Sequence, residues 1–348
     1  MAHEGVAVWI QGISRRSLAD GTLARLVARG AVGGAVLSLR ELGRETREGT
    51  AYRAQIRSLR ARGVGAETAL KALHRYDARW VCDVLAARFA ATRGADGWVC
   101  AEVDPRSAGD APGLLAEARA LAGAVARPNL LVSVPATAAG LAAASDCLAE
   151  EIGVAMTHLY APRHYRDAVD AYFEGLGRTR EAGRPPTGSS VASFDVARTA
   201  KALVGRPGTA APPARPAQAL ARAAYLLYEE SLGTPTWRRL RNAGARQQRL
   251  LWPDAGEADP AAAVHLAEDL VAWNTVQAMS ERTLDAVVRQ GHPQGDTLSH
   301  RPADALERTA HSWATSADVE RAATALAAAE LRERARETEA LTGDWRDL

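Results

Sequence analysis

Residues 129–160 read NLLVSVPATAAGLAAASDCLAEEIGVAMTHLY, a stretch that contains one complete strand–helix–strand unit. Residues 129–136 and 153–160 are short runs of nearly continuous apolar side chains, the pattern of strands that are buried on both faces. Residues 138–150, between these runs, have helical spacing. Because two parallel strands need a crossover connection, the stretch predicts a βαβ unit.

The same unit recurs along the whole chain. Six further strands are predicted at residues 6–13, 33–39, 97–104, 189–196, 248–254 and 274–279. Helical spacing is found between the strands, at residues 18–28, 67–93, 112–125, 162–182 and 260–273. Residues 51–93 are too long for one crossover helix and predict a pair or trio of helices. Eight strand–helix units in about 290 residues predict an α/β fold of the (β/α)8 barrel type.

The remaining segments predict additions to the barrel within a single domain over residues 1–348. Residues 205–216 (GRPGTAAPPARP) are rich in Pro and Ala and predict an extended surface loop. Residues 316–339 predict a single long C-terminal helix with alternating charge, which begins with a Ser cap.

The composition excludes several classes of protein. The formal net charge is +2, from 43 basic and 41 acidic residues, which argues against a dedicated nucleic-acid-binding protein. The N-terminus lacks the features of a signal peptide, and no apolar run reaches the length of a membrane span, so a cytoplasmic location is expected. The three cysteines form no C-x-x-C pair, which argues against a disulfide scaffold and against a thiolate zinc site.

Lysine is scarce, because nearly all of the basic residues are arginine. Lys71 and Lys201 are the only lysines in the chain. Lysine is the side chain that readily forms a Schiff base with a carbonyl substrate, so any such mechanism has two candidates. Neither lysine lies at the end of a predicted strand.

The candidate site residues lie at the carboxyl ends of the predicted strands, where barrel enzymes carry their chemistry. Two carboxylates are predicted to be catalytic, Glu102 and Asp195. The predicted substrate-binding residues are Gln11, Ser38, Ser133, Thr157, His158, Ser193 and Arg198.

Several of these residues have a second interpretation. Glu102 is either a general acid or base or a structural carboxylate, and Asp195 either pairs with it across the pocket or lies solvated at a loop edge. His158 is either an acid, base or ligand, or a packing residue that points outwards into the helix layer. Ser133 fits a hydrogen-bond donor better than a nucleophile, because no nucleophile elbow surrounds it. Arg198 suits an anion.

Several motifs resemble the transaldolase family. They are residues 9–15 (WIQGISR), 94–105 (GADGWVCAEVDP), 128–137 (PNLLVSVPAT), 190–198 (SVASFDVAR), 244–252 (GARQQRLLW) and 283–291 (TLDAVVRQG). The resemblance covers roughly residues 5–340 and implies a (β/α)8 barrel with a C-terminal helix packed over it. It also implies that Glu102, Thr157, Ser193 and Arg198 occupy positions that the family keeps.

Two departures from the family pattern concern its chemistry. The family forms a Schiff base on a fourth-strand lysine within K-I/V-P-A-T, and the resemblance places Ser133 at that lysine. The family's first-strand aspartate corresponds to Gln11. A serine hydroxyl cannot form an iminium ion, and a glutamine cannot exchange a proton at neutral pH.

These departures lead to a functional prediction. The chain is expected to have lost Schiff-base transaldolase activity and to be a neofunctionalised enzyme that acts on a sugar-derived compound by acid/base chemistry, in a setting such as secondary metabolism. The alternative is an inactive pseudoenzyme that binds a sugar phosphate or a protein partner. The expected partner is a small sugar-like or anionic molecule, with a homodimer left open. No metal, cofactor, nucleic acid or membrane is expected.

Overall fold

Eight parallel strands close into a barrel, as the sequence predicts. The computed structural model describes residues 2–48, 50–204, 211–254, 256, 259–299 and 304–343. The strands follow one another around the barrel in chain order, and the last pairs with the first. They are β1 (Ala7–Gln11), β2 (Gly34–Leu37), β3 (Val99–Glu102), β4 (Leu130–Pro135), β5 (Val154–Leu159), β6 (Ser190–Phe194), β7 (Arg249–Pro253) and β8 (Val276–Met279).

Helices surround the barrel and fill the connections between its strands. Within the described residues there are fifteen α-helices and two single-turn 3-10 helices, Ala2–Glu4 and Pro105–Ser107. The α-helices are α1 (Arg15–Ala19), α2 (Thr22–Ala28), α3 (Leu39–Glu48), α4 (Arg53–Ala61), α5 (Ala66–Ala91), α6 (Ala111–Val125), α7 (Ala138–Ala149), α8 (Pro162–Glu181), α9 (Val196–Leu203), α10 (Pro216–Leu232), α11 (Pro235–Asn242), α12 (Pro260–Asp269), α13 (Glu281–Gln290), α14 (Ala305–Ala314) and α15 (Ala317–Gly343).

The helix predictions are confirmed in most places and refined in two. The segment 18–28 divides into α1 and α2, because Gly21 adopts a left-handed conformation with φ +76° between them. The segment 51–93 is a pair of helices, α4 and α5. Six helices are additional to the prediction: α3, α9, α10, α11, α13 and α14. Most of them are short, and short helices give little periodicity to read.

The barrel interior is filled by apolar side chains from the strands. The cluster consists of Trp9, Cys100, Leu131, Ala155, Val191, Leu251, Val276 and Ala278. Trp9 is fully buried, and its register partner on β2 is Gly34. A Cβ atom on Gly34 would meet the Trp9 ring at 2.5 Å, so the absence of a side chain there makes room for the indole. The interior is therefore a packed core, and a ligand must bind at one of its ends.

The C-terminal helix packs over the barrel, as predicted. Helix α15 contacts α3, α5, α9 and the end of β5, so it lies at the carboxyl ends of the strands. It extends four residues beyond the predicted end at 339. Of the predicted loop at 205–216, residues 205–210 lie outside the described part of the chain, residues 211–215 are irregular, and Pro216 begins α10. The single-domain organisation stays a prediction.

A membrane-spanning helix must be both long and strongly apolar. Among the described residues, none of the helices combines the length and the apolar character needed to cross a bilayer.

Candidate active site

Side chains alternate in direction along each strand, and most of the predicted site residues lie at positions that point into the barrel. Side chains two positions apart on a strand face the same side, so the residue two positions after each core residue also points inwards. On this basis the core residues Trp9, Cys100, Leu131, Ala155 and Val191 are followed by a second inward layer. That layer contains Gln11, Glu102, Ser133, Thr157 and Ser193, with Ser38 just beyond the end of β2.

Glu102 is held between a backbone amide and an arginine. Its Oε2 accepts a hydrogen bond of 2.9 Å from the amide of Leu39, at the start of α3. Its Oε1 accepts one of 3.1 Å from Nη2 of Arg334, on α15. The Glu102 side chain is 13% exposed and that of Arg334 is 16% exposed, so this ion pair is largely shielded from solvent. The carboxylate is thus fixed in position at the mouth of the barrel.

Asp195 forms the N-terminal cap of α9 and also binds a side chain from that helix. Its Oδ1 accepts from the Arg198 amide at 2.9 Å, and its Oδ2 accepts from Arg198 Nε at 3.2 Å. Burial raises the pKa of Asp195, although its hydrogen bonds and ion pair with Arg198 oppose this rise. Each of the two carboxylates is bound by its own arginine, Glu102 by Arg334 and Asp195 by Arg198, and their pairing across the pocket stays a prediction.

His158 reaches the mouth because β5 is irregular. The pairing between β5 and β6 shifts register between Met156 and Leu159, and His158 has φ +62°. Its Nδ1 lies 2.9 Å from Thr157 Oγ1. Burial lowers the pKa of His158 to about 4, against the opposing influence of Glu102, so the imidazole is neutral at pH 7. The strand irregularity thus overrides the alternation that favoured an outward-facing ring.

Gln11 and Ser38 are engaged with the backbone at the barrel rim. Gln11 accepts from the amide of Asp254 at 3.3 Å and donates to its carbonyl at 3.4 Å, so it links β1 to the end of β7. Ser38 Oγ accepts from the amide of Glu41 at 3.2 Å, in the first turn of α3. Both residues lie at the mouth, and both contribute to the structure of its wall.

The structure adds three charged residues of α15 that the sequence analysis missed. Glu330 Oε2 lies 2.5 Å from Arg198 Nη1 and its Oε1 lies 3.5 Å from Arg40 Nη2. Glu337 pairs with Arg40 Nε at 2.8 Å. With Arg334, these residues have i, i+4, i+7 spacing, which places them on one face of the helix. This spacing in the sequence predicts that the three charges share one face of the helix, but it does not show which surface of the barrel that face contacts.

Ser133 and the two lysines lie in different parts of the molecule. Ser133 is 5% exposed and pairs in register with Glu102 on β3 and Ala155 on β5. Lys71 Nζ lies 3.1 Å from Glu117 Oε1 in the helix layer. It lines a cavity of about 210 Å³ that also includes Glu102. Lys201 is exposed on α9.

A metal centre in a protein needs several ligating side chains at one place. No group of three or more His, Cys, Asp or Glu residues within them has the arrangement of a metal site. The cysteines Cys82, Cys100 and Cys147 are all buried as free thiols.

Comparison with known proteins identifies close relatives. The sequence model of the family described as transaldolase/fructose-6-phosphate aldolase matches residues 39–344. A transaldolase of Acidothermus cellulolyticus is 43% identical over 312 residues, which cover 88% of this chain and 84% of the relative. A transaldolase of Thermobifida fusca is 42% identical over 306 residues, covering 86% and 83%. A transaldolase of Frankia alni is 38% identical over 329 residues, covering 92% and 88%.

These relatives correct the functional prediction. Loss of transaldolase activity, with either a new reaction or an inactive pseudoenzyme in its place, was expected from two departures at Gln11 and Ser133. Proteins named transaldolase match most of this chain at 38 to 43% identity, which points to ordinary transaldolase activity. The prediction of lost activity, and with it that of a role in secondary metabolism, is therefore wrong. The prediction rested on Gln11 and Ser133 alone, whereas the similarity to transaldolases extends over most of the chain.

Proposed function

The chain belongs to the transaldolase/fructose-6-phosphate aldolase family, and we propose that it is a transaldolase acting on sugar phosphates at the mouth of its barrel. The observation that carries the proposal is the inward layer of polar side chains, in which Glu102 is fixed by Arg334 at 3.1 Å. The substrate class agrees with the small, sugar-like or anionic molecule expected from the sequence. The cytoplasmic location and the homodimer stay predictions.

The substrate phosphate is assigned to the guanidinium groups at the edge of the mouth. Arg198 and Arg40 are each 40% exposed, so an incoming ligand can reach them. Guanidinium forks suit phosphate oxygens, which accept several hydrogen bonds at once. The backbone amide and Nε of Arg198 both donate to Asp195. The terminal nitrogens of the Arg198 guanidinium are left to bind Glu330 and a ligand.

The reaction requires one proton to be removed and later returned. A base takes the proton from the hydroxyl group on the carbon that will be released, the carbon–carbon bond breaks, and an aldehyde leaves. The electron pair of that bond passes to the carbonyl oxygen of the retained fragment, which becomes an enolate. The enolate then attacks the acceptor aldehyde, and the new alkoxide takes the proton back. Glu102 is the proposed proton carrier, with Asp195 as the second predicted carboxylate.

Ser133 is assigned to the carbonyl oxygen of the substrate. Its register position beside Glu102 places the hydroxyl in the same inward layer, where it can donate a hydrogen bond. Together with the Arg334 guanidinium, that hydrogen bond would stabilise the negative charge of the enolate. We propose that Ser133 occupies the position of the family's lysine and that the reaction here forms no Schiff base on β4. Thr157, His158, Ser193, Gln11 and Ser38 are proposed to line the sugar.

The direct test is an exchange assay with the full chain. Fructose 6-phosphate serves as donor and an aldose phosphate as acceptor, and the new ketose phosphate is measured. The wild-type chain should catalyse the exchange, and Glu102→Gln should lower kcat about 100-fold or more, because a positioned acid or base contributes at least that factor. Glu333→Gln changes an exposed carboxylate on α15 and serves as the matched control. Absence of exchange by the wild-type chain would overturn the proposal.

A second experiment tests the route without a lysine. Borohydride reduces an iminium ion to a stable adduct, so it is added during turnover and the chain is analysed by peptide mass. The proposal expects full activity and no adduct. An adduct on Lys71, which shares a cavity with Glu102, would replace the Ser133 route with a displaced Schiff base and would leave the transaldolase activity itself in place.

A further inference from the structure

A second cavity lies at the opposite end of the barrel from the mouth. Its volume is about 320 Å³. Ser189 and Ser190 at the start of β6, Arg249 at the start of β7, and Asn274 before β8 all line it. These are the amino ends of the strands, so the cavity shares no wall with the candidate active site. It is called the basal cavity below.

The lining of the basal cavity is strongly basic. Among its described lining residues are three arginines, Arg241, Arg246 and Arg249, and neither Asp nor Glu. Within the described part of the chain, no carboxylate lies within ion-pair distance of any of the three. This contrasts with the mouth, where every arginine is paired with a carboxylate.

Three backbone carbonyl groups hold the Arg249 guanidinium in place. Its Nε donates to the carbonyl of Asn274 at 3.3 Å, its Nη2 to that of Thr275 at 2.7 Å and its Nη1 to that of Ala95 at 3.2 Å. A guanidinium has five N–H donors, so two remain for a ligand. Carbonyl dipoles orient the charge without neutralising it, and burial lowers the pKa of Arg249.

Asp96, the acid that acts on Arg249, is bound to other partners. Asp96 acts on Arg249 only at a distance. Its Oδ1 accepts from Trp9 Nε1 at 3.0 Å, and its Oδ2 accepts from Arg88 at 3.3 Å. The charge of Asp96 is therefore shared with Arg88, and a positive potential is left in the basal cavity.

The other two arginines complete the site from the rim. Arg246 and Arg241 are exposed, and Arg246 Nη2 donates to the carbonyl of Arg93 at 2.5 Å. Neutral side chains with hydrogen-bonding groups, Ser189 and Gln247 among them, also line the cavity, whereas the side-chain amide of Asn274 already donates to Tyr228 and Gln247. Several guanidiniums around a concave space with hydroxyl and amide groups match the oxygen atoms and the double charge of a phosphate group.

We propose that the basal cavity binds the phosphate group of a small phosphorylated molecule. A carboxylate carries one charge and would leave most of the three cations uncompensated, whereas a phosphate group carries up to two. The concave shape favours a small ligand over a nucleic acid, as does a net charge of only +2 for the whole chain. The proposal is independent of the transaldolase activity, since no residue of the mouth takes part.

Trp98 provides a local probe of this site. It lines the basal cavity, and its indole Nε1 donates to the carbonyl of Gly94 at 3.0 Å. The full chain labelled with ¹⁵N is titrated with inorganic phosphate and, separately, with glycerol 3-phosphate at low salt. The Trp98 indole signal, assigned with Trp98→Phe, should shift and saturate. Tighter binding of glycerol 3-phosphate identifies an ester as the source of the phosphate, and equal binding identifies the free ion; both support the site.

Arginine variants test whether the shift of the Trp98 signal reports binding in the basal cavity. The double variant Arg241→Gln, Arg246→Gln removes two exposed cations and should raise the midpoint of the titration about tenfold, because charged hydrogen bonds of this kind contribute on that scale. Arg238→Gln removes an exposed cation of α11 outside the cavity, and Arg198→Gln removes one at the mouth; neither should move the midpoint.

Three outcomes would overturn the proposal. They are a Trp98 signal that does not saturate with either phosphate compound, a double variant with the midpoint of the wild type, and a shift that only an oligonucleotide produces.

Discussion

Glu330 of α15 occupies the position that a substrate phosphate would take beside Arg198. Its Oε2 lies 2.5 Å from Arg198 Nη1, and its Oε1 lies 3.5 Å from Arg40 Nη2. The Glu330 side chain is 14% exposed, so its charge is only weakly screened. A phosphate group must therefore compete with this carboxylate for the same guanidiniums. We predict that Glu330→Gln makes phosphate compounds bind more tightly at the mouth.

The magnitude follows from the ion pairs of Glu330 with Arg198 and Arg40; a third pair, with Arg334 Nε at 4.0 Å, is the longest of the three. Unit charges about 4 Å apart interact by about 4 kcal/mol at an effective dielectric constant near 20, an upper bound for this site. Arg198 and Arg40 are each 40% exposed, and pairs of that exposure contribute about 0.5–1 kcal/mol each. Removing these two pairs, while Arg198 stays paired with Asp195 and Arg40 with Glu337, makes about 1–2 kcal/mol available to a phosphate, equivalent to a decrease in Kd of about 5- to 30-fold.

The assay measures inorganic phosphate as a competitive inhibitor of the exchange reaction, so that only the mouth is observed. In Glu330→Gln the inhibition constant and the KM for the ketose phosphate should both fall by this factor at low salt. The difference should shrink as added salt screens the charges. Calorimetry of phosphate binding, in a chain that also carries Arg241→Gln and Arg246→Gln, gives the same comparison without turnover.

The control is Glu333→Gln, on the same helix. Glu333 is 55% exposed and lies 3.8 Å from Arg336, which is itself exposed, so its removal leaves the mouth unchanged. If the inhibition constant in Glu330→Gln is equal to or higher than that of the wild type, Glu330 positions Arg198 for phosphate rather than competing with it, and the reasoning fails.

Two further predictions concern stability. Gly34→Ala should lower the free energy of unfolding by about 1–3 kcal/mol in urea denaturation, because the added Cβ would meet the fully buried Trp9 ring at 2.5 Å. The control is Gly65→Ala, since Gly65 has open space around it. Equal losses of stability in the two variants would contradict the packing argument. His158 has a pKa of about 4 when folded and near 6.5 when unfolded, so the unfolded chain takes up the proton first and stability falls as pH drops from 6.5 to 4. His158→Gln should remove up to about 1.4 kcal/mol per pH unit of that slope, compared with His265→Gln at the surface, and an unchanged slope would refute the burial of the ring.

The barrel could be predicted because its strands carry a local signal. Strands that are buried on both faces have continuous apolar runs in their sequence. The ends of all eight runs lie within two or three residues of the ends of the observed strands. The inward layer followed from the same signal, since alternation places Glu102 and Ser133 on the same face as the core. Short helices such as α9 and α11 have too few turns for a clear period, so they were not predicted.

The electrostatic arrangement of the site could not be predicted in the same way. His158 turns towards the mouth because of a register shift between β5 and β6, and that shift depends on the pairing of two strands. The pairs of Arg334 with Glu102 and of Glu330 with Arg198 join residues more than 130 positions apart. The charges of α15 were visible in the sequence, but the surface that they contact is created only when the barrel closes.

The near-neutral net charge conceals an uneven distribution between the two ends of the barrel. At the mouth, the carboxylates of Glu102, Asp195, Glu330 and Glu337 outnumber the guanidiniums of Arg40, Arg198 and Arg334. At the base, three guanidiniums line a cavity that has no acid among its described residues. A phosphate compound is therefore attracted to the base but must displace a carboxylate at the mouth. It follows that added salt should weaken phosphate binding at the base more than at the mouth. At the base, salt screens the attraction of phosphate to an uncompensated positive charge, whereas at the mouth binding only exchanges one ion pair for another.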